Sequence, residues 1–357
     1  MVSMKNFVVA SGCIALLIAA CSSNNKSGKT GSSPPSGTGS GRNMYWGRQI
    51  PANDITVMKQ HFSIFGEVIN LSNDSNYLYV HSFGIPSHNM MRGISSWNQQ
   101  VPLPQAYIGD NAWPVPLKPK LAEYPKPINT NFMRGAIALA VNGVPIFNPL
   151  NNRGEDAHLI GELDEWGGHS GRADDYHYHL APVHLADKTH NGPIAYALDG
   201  FPIYGMNEPD GSPAKDLDDY HGHFYEDSYH YHADEEFPYF IGFMVGEVET
   251  ENPVMGKNSD PPGRGKINPG ESSIIPQPRS TPIREAAEPL HGAIITDFKR
   301  ISERNFTVYY SVPGKESSTY QIDYSWDEQQ RTYHFVFKKN NSQIAEEVYT
   351  KRHTNGH

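Results

Sequence analysis

Ile137-Ala138-Leu139-Ala140-Val141-Asn142-Gly143-Val144-Pro145-Ile146-Phe147 recurs downstream as Ile194-Ala195-Tyr196-Ala197-Leu198-Asp199-Gly200-Phe201-Pro202-Ile203-Tyr204. Two more blocks follow in the same order. Leu163-Asp164-Glu165-Trp166-Gly167-Gly168-His169 is answered by Leu217-Asp218-Asp219-Tyr220-His221-Gly222-His223, and each copy closes on one tetrapeptide, Tyr176-His177-Tyr178-His179 and Tyr229-His230-Tyr231-His232. Three blocks at nearly constant offset indicate a duplicated unit over residues 137–179 and 194–232.

Each block has a local reading. Asn142-Gly143 and Asp199-Gly200 lie between apolar runs, which predicts tight two-residue hairpin turns of type I′. Pro145 and Pro202 follow two residues on, so the second arm of each hairpin is expected at a sheet edge, or to stop pairing there. Tyr-His-Tyr-His has period 2. In a strand both tyrosines face one side and both histidines the other, so tyrosines can enter a core while imidazoles gather in a cleft.

Outward from the repeats, Gly 32 and Pro 28 in 357 residues, with little 3.6-residue periodicity, argue for a mainly β protein with long loops. The duplicated β domain is expected to span residues 43–285, with strands near Val68–Leu71 and Tyr77–Phe83 beginning its main sheet. A Pro/Gly-rich stretch from Asn252 to Pro282 reads as a linker or long loop. Residues 286–357 hold four alternating runs, Phe306–Val312, Tyr320–Trp326, Thr332–Phe337 and Ile344–Tyr349, expected as a small antiparallel meander. A net charge of −10 and no basic cluster disfavour nucleic acid as a partner.

The first residues carry an export address. Lys5 precedes an apolar run from Phe7 to Ala20 that closes on Ile18-Ala19-Ala20-Cys21, the pattern of a secretory signal ending in a lipid-acceptor cysteine. The run is shorter than the roughly 20 residues of a spanning helix. Residues 1–21 are thus expected to be a lipoprotein signal with its cysteine, and 22–42 a Gly/Ser/Pro tether. The expected partner is a bacterial membrane, held through lipid on Cys21. Ser22 after the lipid site is similar to lipoproteins sorted to an outer membrane, facing periplasm or exterior. Of the 2 cysteines, Cys13 leaves with the signal and Cys21 is lipidated, so no disulfide framework and no thiolate ligand is expected in the mature chain.

The 17 histidines are the other unusual feature. His169, His177 and His179 in one repeat, and His223, His230 and His232 in the other, form candidate ligand sets, with His221 as an extra. A His-x-His strand puts two imidazoles on one side, and a third from an adjoining segment completes a three-ligand set with an open position. Asp164, Glu165, Asp218 and Asp219 are candidates to ligate, or to accept the second ring N–H of a ligand histidine. Either two similar sites form or the six rings converge on one. Imidazole without thiolate suits a divalent metal, zinc first and copper second. Asp174, Asp175 and Asp227 are expected to cap or solvate turns, with a mixed O/N site, calcium included, as the alternative. Asp199 is expected as a turn aspartate, with a catalytic carboxylate as the weaker reading. His81, His88 and His158 are candidates only to complete a site. No nucleophile elbow, phosphate loop or dinucleotide fingerprint is present.

At these residues the chain resembles the YHYH protein family, from about Ser87 to Pro262. The resemblance rests on Asn142-Gly143-Val144-Pro145, Gly167-Gly168-His169, Asp199-Gly200-Phe201-Pro202-Ile203-Tyr204-Gly205 and the second tetrapeptide before Phe237-Pro238-Tyr239. It implies boundaries and no particular reaction. It also implies a disulfide between the 217–223 region and the segment after Gly242, where this chain has Tyr220 or His221, and Phe243. The functional expectation is a His-coordinated divalent metal site on an exported lipoprotein, with metal-dependent hydrolysis as the leading chemistry. The alternatives are a non-enzymatic cell-surface module binding metal, glycan or protein, and a copper-dependent oxidoreductase.

Overall fold

The computed structural model describes residues 41–251, 273–274, 281, 284, 290 and 292–350. Cys21, the expected signal segment, the expected tether up to residue 40 and most of the stretch after Glu251 lie outside the described residues. Among those described, no helix is long and apolar enough to cross a membrane.

The protein is mainly β, and the duplication builds its central sheet. The first repeat contributes β1 (Ala136–Ala140), β2 (Pro145–Phe147), β3 (Gly168–Ser170) and β4 (Tyr176–Tyr178). The second contributes β5 (Ala195–Ala197), β6 (Pro202–Tyr204), β7 (Gly222–Tyr225) and β8 (Ser228–His232). The eight strands run in the order β7-β8-β6-β5-β1-β2-β4-β3. Each repeat is an antiparallel hairpin whose second arm pairs in parallel with the Tyr-His-Tyr-His strand, through Ile146 opposite Tyr178 and Ile203 opposite Tyr231.

The repeats meet at β1 and β5. Leu139 pairs with Tyr196, its own counterpart in the duplication, and is flanked by Ala138–Ala197 and Ala140–Ala195. The pairing is therefore two-fold symmetric, like the isologous contact of a dimer fused into one chain. Every residue of β1 and β5 is buried, as strands covered on both faces require. Their alanines leave room for that cover. One piece of it is the helix Ile55–Ser63, capped by Asp54 through Thr56 N (2.7 Å), which lays Phe62 against Tyr196 with ring centroids 5.6 Å apart.

Two turn expectations are corrected. Only the glycine of each pair takes positive φ, 79° at Gly143 and 93° at Gly200. A type I′ turn needs both central residues there. Ala140 O accepts from Gly143 N (2.8 Å) and Ala140 N donates to Val144 O (3.0 Å), with the same bonds at Ala197, Gly200 and Phe201. These are three-residue loops ending in a bulged left-handed glycine. Nor do the prolines mark an edge. β2 and β6 are interior strands, tolerated because proline is their first residue.

The strands Ile69–Asn73 and Tyr77–Ser82 form a separate three-stranded sheet with Trp113–Pro116 rather than opening the main one. That sheet touches the first hairpin loop through Ser82 Oγ, which donates to Gly143 O (2.6 Å). The C-terminal meander has five strands. Ile294–Ser302 precedes the four anticipated runs, which span Asn305–Ser311, Tyr320–Asp327, Thr332–Lys339 and Ser342–Thr350. It docks through Ile295, whose N and O bond Ile94 O and Gly93 N (3.0 and 2.9 Å), and Trp97 packs edge-on against Tyr310. Buried Asp174 accepts two bonds from Arg284 (both 2.8 Å), whose guanidinium lies over Phe335.

At Gly143 a Cβ would stand 2.6 Å from Ile69 Cγ2 and 2.8 Å from Ser82 Cβ. Left-handed strain and overlap together predict that Gly143→Ala loses about 1–3 kcal/mol of unfolding free energy. Urea denaturation reads this directly, and an unshifted midpoint would contradict the close approach.

Candidate metal centres

Register brings the histidines together. In the antiparallel pair β3–β4, His169 lies opposite His177, and in β7–β8 His223 lies opposite His230. Opposed residues project to one face about 5 Å apart. His179 and His232, two positions further along, project to that same face. The glycine before each third histidine permits the approach: a Cβ on Gly168 would stand 2.7 Å from Tyr176 Oη, and one on Gly222 would run into Tyr229 Oη and the His230 carbonyl.

Tyrosines anchor the opposite face. Tyr176 donates to Asp164 Oδ2 (2.7 Å) and Tyr229 to Asp218 Oδ1 (3.0 Å). Tyr178 Oη accepts from Asn142 Nδ2 (3.0 Å) and lies 2.6 Å from His88 Nε2. Tyr231 donates to Asp199 Oδ2 (2.7 Å), which also takes Gly246 N–H (3.0 Å). All four rings are buried. Asp164 and Asp218 thus serve tyrosines and backbone amides, that of the distant Met91 included, and bond none of the histidines. Glu165 and Asp219 are exposed and make no bond to a histidine. Asp199 is a tyrosine anchor in the turn.

The acceptors that orient the ligand rings are main-chain carbonyls. His177 Nδ1 faces Asp175 O (2.8 Å), His179 Nδ1 faces Asn148 O, and His232 Nδ1 faces Gly205 O (2.9 Å). A carbonyl oxygen only accepts, so each of these Nδ1 atoms carries a proton and each ring turns its Nε2 toward the other histidines.

The Nε2 atoms converge as two separate groups, so the six histidines do not share one site. In the first, His179 Nε2 lies 3.1 Å from both His177 Nε2 and His169 Nε2. In the second, His230 Nε2 lies 2.8 Å from His232 Nε2 and 3.1 Å from His223 Nε2. Glu208 completes it, with Oε1 2.9 Å from His223 and Oε2 3.3 and 3.4 Å from His230 and His232. Each group could hold a metal ion. A cation about 2.05 Å from two nitrogens 3.1 Å apart would see them at roughly 100°, between octahedral and tetrahedral angles.

Burial lowers His169 to about 4, and His179 and His230 to about 3; burial also lowers His232. In each group two histidines are buried and the third, His169 or His223, keeps a minor part of its surface exposed. A cavity of about 350 Å³ borders the second group at His230, with Tyr196, Tyr204 and Tyr225 in its wall beside Asp54 and Glu226.

Glu208 was not among the residues singled out from sequence. The signal lay in the repeat itself, since 205–213 continues the match to 148–156, but those loops share few residue types. His221 stays outside the second group, 3.7 Å from Asp234 Oδ2. His81 bonds Ser72 and Gly109, His88 bonds Tyr178, and His158 packs on Tyr239; none completes a group. Asp174 pairs with Arg284. Tyr220 and Phe243, where the resemblance implied a disulfide, are in contact with ring centroids 5.5 Å apart.

Residues 112–216 match the family model described as YHYH protein. The matched stretch contains the first histidine group and Glu208, and ends before His223, His230 and His232, so it is narrower than the motif resemblance over 87–262. No curated protein and no solved structure matches the chain.

Burial raises Asp199 to about 6, against the pull of Tyr231 and the Phe201 and Gly246 amides. Its unfolded value is near 3.9, so the folded state binds the extra proton between these values. Its contribution is full below about pH 4 and lost as pH rises through about 6, on the order of 2–3 kcal/mol. Asp199→Asn is expected to flatten that decline in denaturation measured from pH 4 to 7; an unchanged slope would mean Asp199 does not titrate in this range.

Proposed function

We propose that this chain is an exported, lipid-anchored metal protein with two histidine centres. In this reading zinc is the first-choice ion and copper the second, and the leading chemistry is hydrolysis of an ester, amide or phosphoester. One observation carries the metal reading. His177 and His179 both give their Nδ1 proton to a carbonyl, yet their buried Nε2 atoms face each other at 3.1 Å. Two bare acceptors at that distance repel, and a shared cation turns the repulsion into ligation.

Hydrolysis is supported by ligand count at the first centre. Three imidazoles leave a fourth position, and His169, the least buried of the three, lies on the side nearest solvent. A divalent ion so held lowers the pKa of water toward neutrality. Export is supported by Lys5, the apolar Phe7–Ala20 run and the small residues before Cys21. The outer membrane, facing periplasm or exterior, is the proposed address.

A non-enzymatic surface module that binds a glycan or protein is favoured by the tyrosine-walled cavity beside the second centre, since aromatic faces stack on planar or ring-shaped ligands. A copper oxidoreductase would use the same ligands and would show a Cu(II) paramagnetic signal.

Elemental analysis of the purified full chain is expected to find a transition metal, and His177→Ala/His179→Ala to lose about one equivalent of it. Unchanged metal content in that double variant would end the claim for the first centre. Separately, the full chain is expected to incorporate labelled fatty acid and Cys21→Ala to lose that label, and labelling unchanged in the variant would remove the lipid anchor at Cys21.

A further inference from the structure

The loops that follow β2 and β6 are built alike. Leu150 bridges Asp156 as Asn207 bridges Pro213. Asn151 N donates to Glu155 O and Glu208 N to Ser212 O, both at 2.8 Å. The loops also supply the equivalent carbonyls, Asn148 O and Gly205 O, that orient His179 and His232. Within this common frame one position differs in kind, Asn151 in the first repeat and Glu208 in the second.

Asn151 is turned to its own loop. Its Oδ1 accepts from Arg153 N and Glu155 N (2.9 and 3.1 Å), and its Nδ2 donates to Glu155 Oε2 and Glu162 Oε2 (3.1 and 3.3 Å). Glu208 is turned to the histidines. Its side chain is 8% exposed and its Oε2 is buried without a hydrogen-bond donor. A buried carboxylate oxygen with no donor is unfavourable unless a cation compensates it.

We infer that the two centres form an affinity hierarchy. The second, with Glu208 as its fourth donor, fills first and holds its ion tightly. The first, with three neutral imidazoles, binds more weakly and keeps an open position. This rests on both histidine groups being metal centres. Affinity for a divalent ion rises with the negative charge of the donor set, and the oxygen donor also extends the second centre toward harder ions such as Mn(II) and Fe(II). With no anionic donor, an ion in the first centre stays the stronger Lewis acid, so the open position and the acidity for activating water coincide there.

Cobalt(II) titration of the metal-free full chain, followed by visible absorption and equilibrium dialysis, tests this. Two equivalents are expected in two resolved steps. Glu208→Gln should weaken the tight step by at least roughly 10-fold, and His230→Ala/His232→Ala should abolish it. Asn151→Glu should tighten the weak step, a gain that misfolding cannot produce. Two equivalents of equal affinity, a tight step indifferent to Glu208→Gln, or a tight step lost in His177→Ala/His179→Ala would overturn the hierarchy and leave the metal reading standing. No cobalt bound by any of these chains would overturn both.

Discussion

Strand register is the constraint from which both histidine groups follow. A β-strand alternates its side chains, so a one-residue slip of either Tyr-His-Tyr-His strand would send imidazoles into the core and tyrosines into the cleft. Four tyrosine hydroxyls oppose the slip, since in this register Tyr176 bonds Asp164, Tyr178 bonds Asn142 and His88, Tyr229 bonds Asp218, and Tyr231 bonds Asp199 and Val245 N. Leaving any of them unpaired in the core would cost about 1–3 kcal/mol. The polar chemistry beneath the sheet thus positions the polar chemistry above it.

The duplication supplies a second level of order. Because Leu139 pairs with its counterpart Tyr196, the repeats relate by an internal two-fold axis, and the histidine groups form on the outer strands, as two sites instead of a shared one. Symmetry in the backbone has allowed divergence in the side chains. Asn142 donates to its tyrosine where Asp199 accepts from its own, and the loop position that holds Asn151 in one repeat holds Glu208 in the other. On the proposed reading that second difference separates a tightly held ion from an exchangeable one.

Much of this was legible in the residues. The repeats, the two faces of each tetrapeptide, the six histidines and four of the meander strands follow from periodicity. What differs lies in how loops close and in which segments pair. Asn-Gly and Asp-Gly pairs suit a type I′ turn, but the observed loops close one residue later, with only glycine left-handed. Pro145 and Pro202 resembled edge markers because a proline has no N–H to give, yet each sits at a strand start where that loss is tolerated. Asp164 and Asp218 resembled metal-side acids because they lie near the histidines in sequence, but alternation sends the tyrosines to them and the histidines to the other face. Glu208 carried no local pattern at all.

The sequence by itself determined that two like units would each present a His-x-His face, because alternation and duplication are properties of residue order. Only the tertiary structure decided which groups meet there. The carbonyls of Asp175, Asn148 and Gly205 that turn each Nε2 toward the other histidines belong to every residue equally and are invisible in a sequence. Glu208, in a loop well before its strand, joins three imidazoles only once β6 has paired with β8. Such contacts are set by the packing of segments far apart along the chain, and no local rule encodes them.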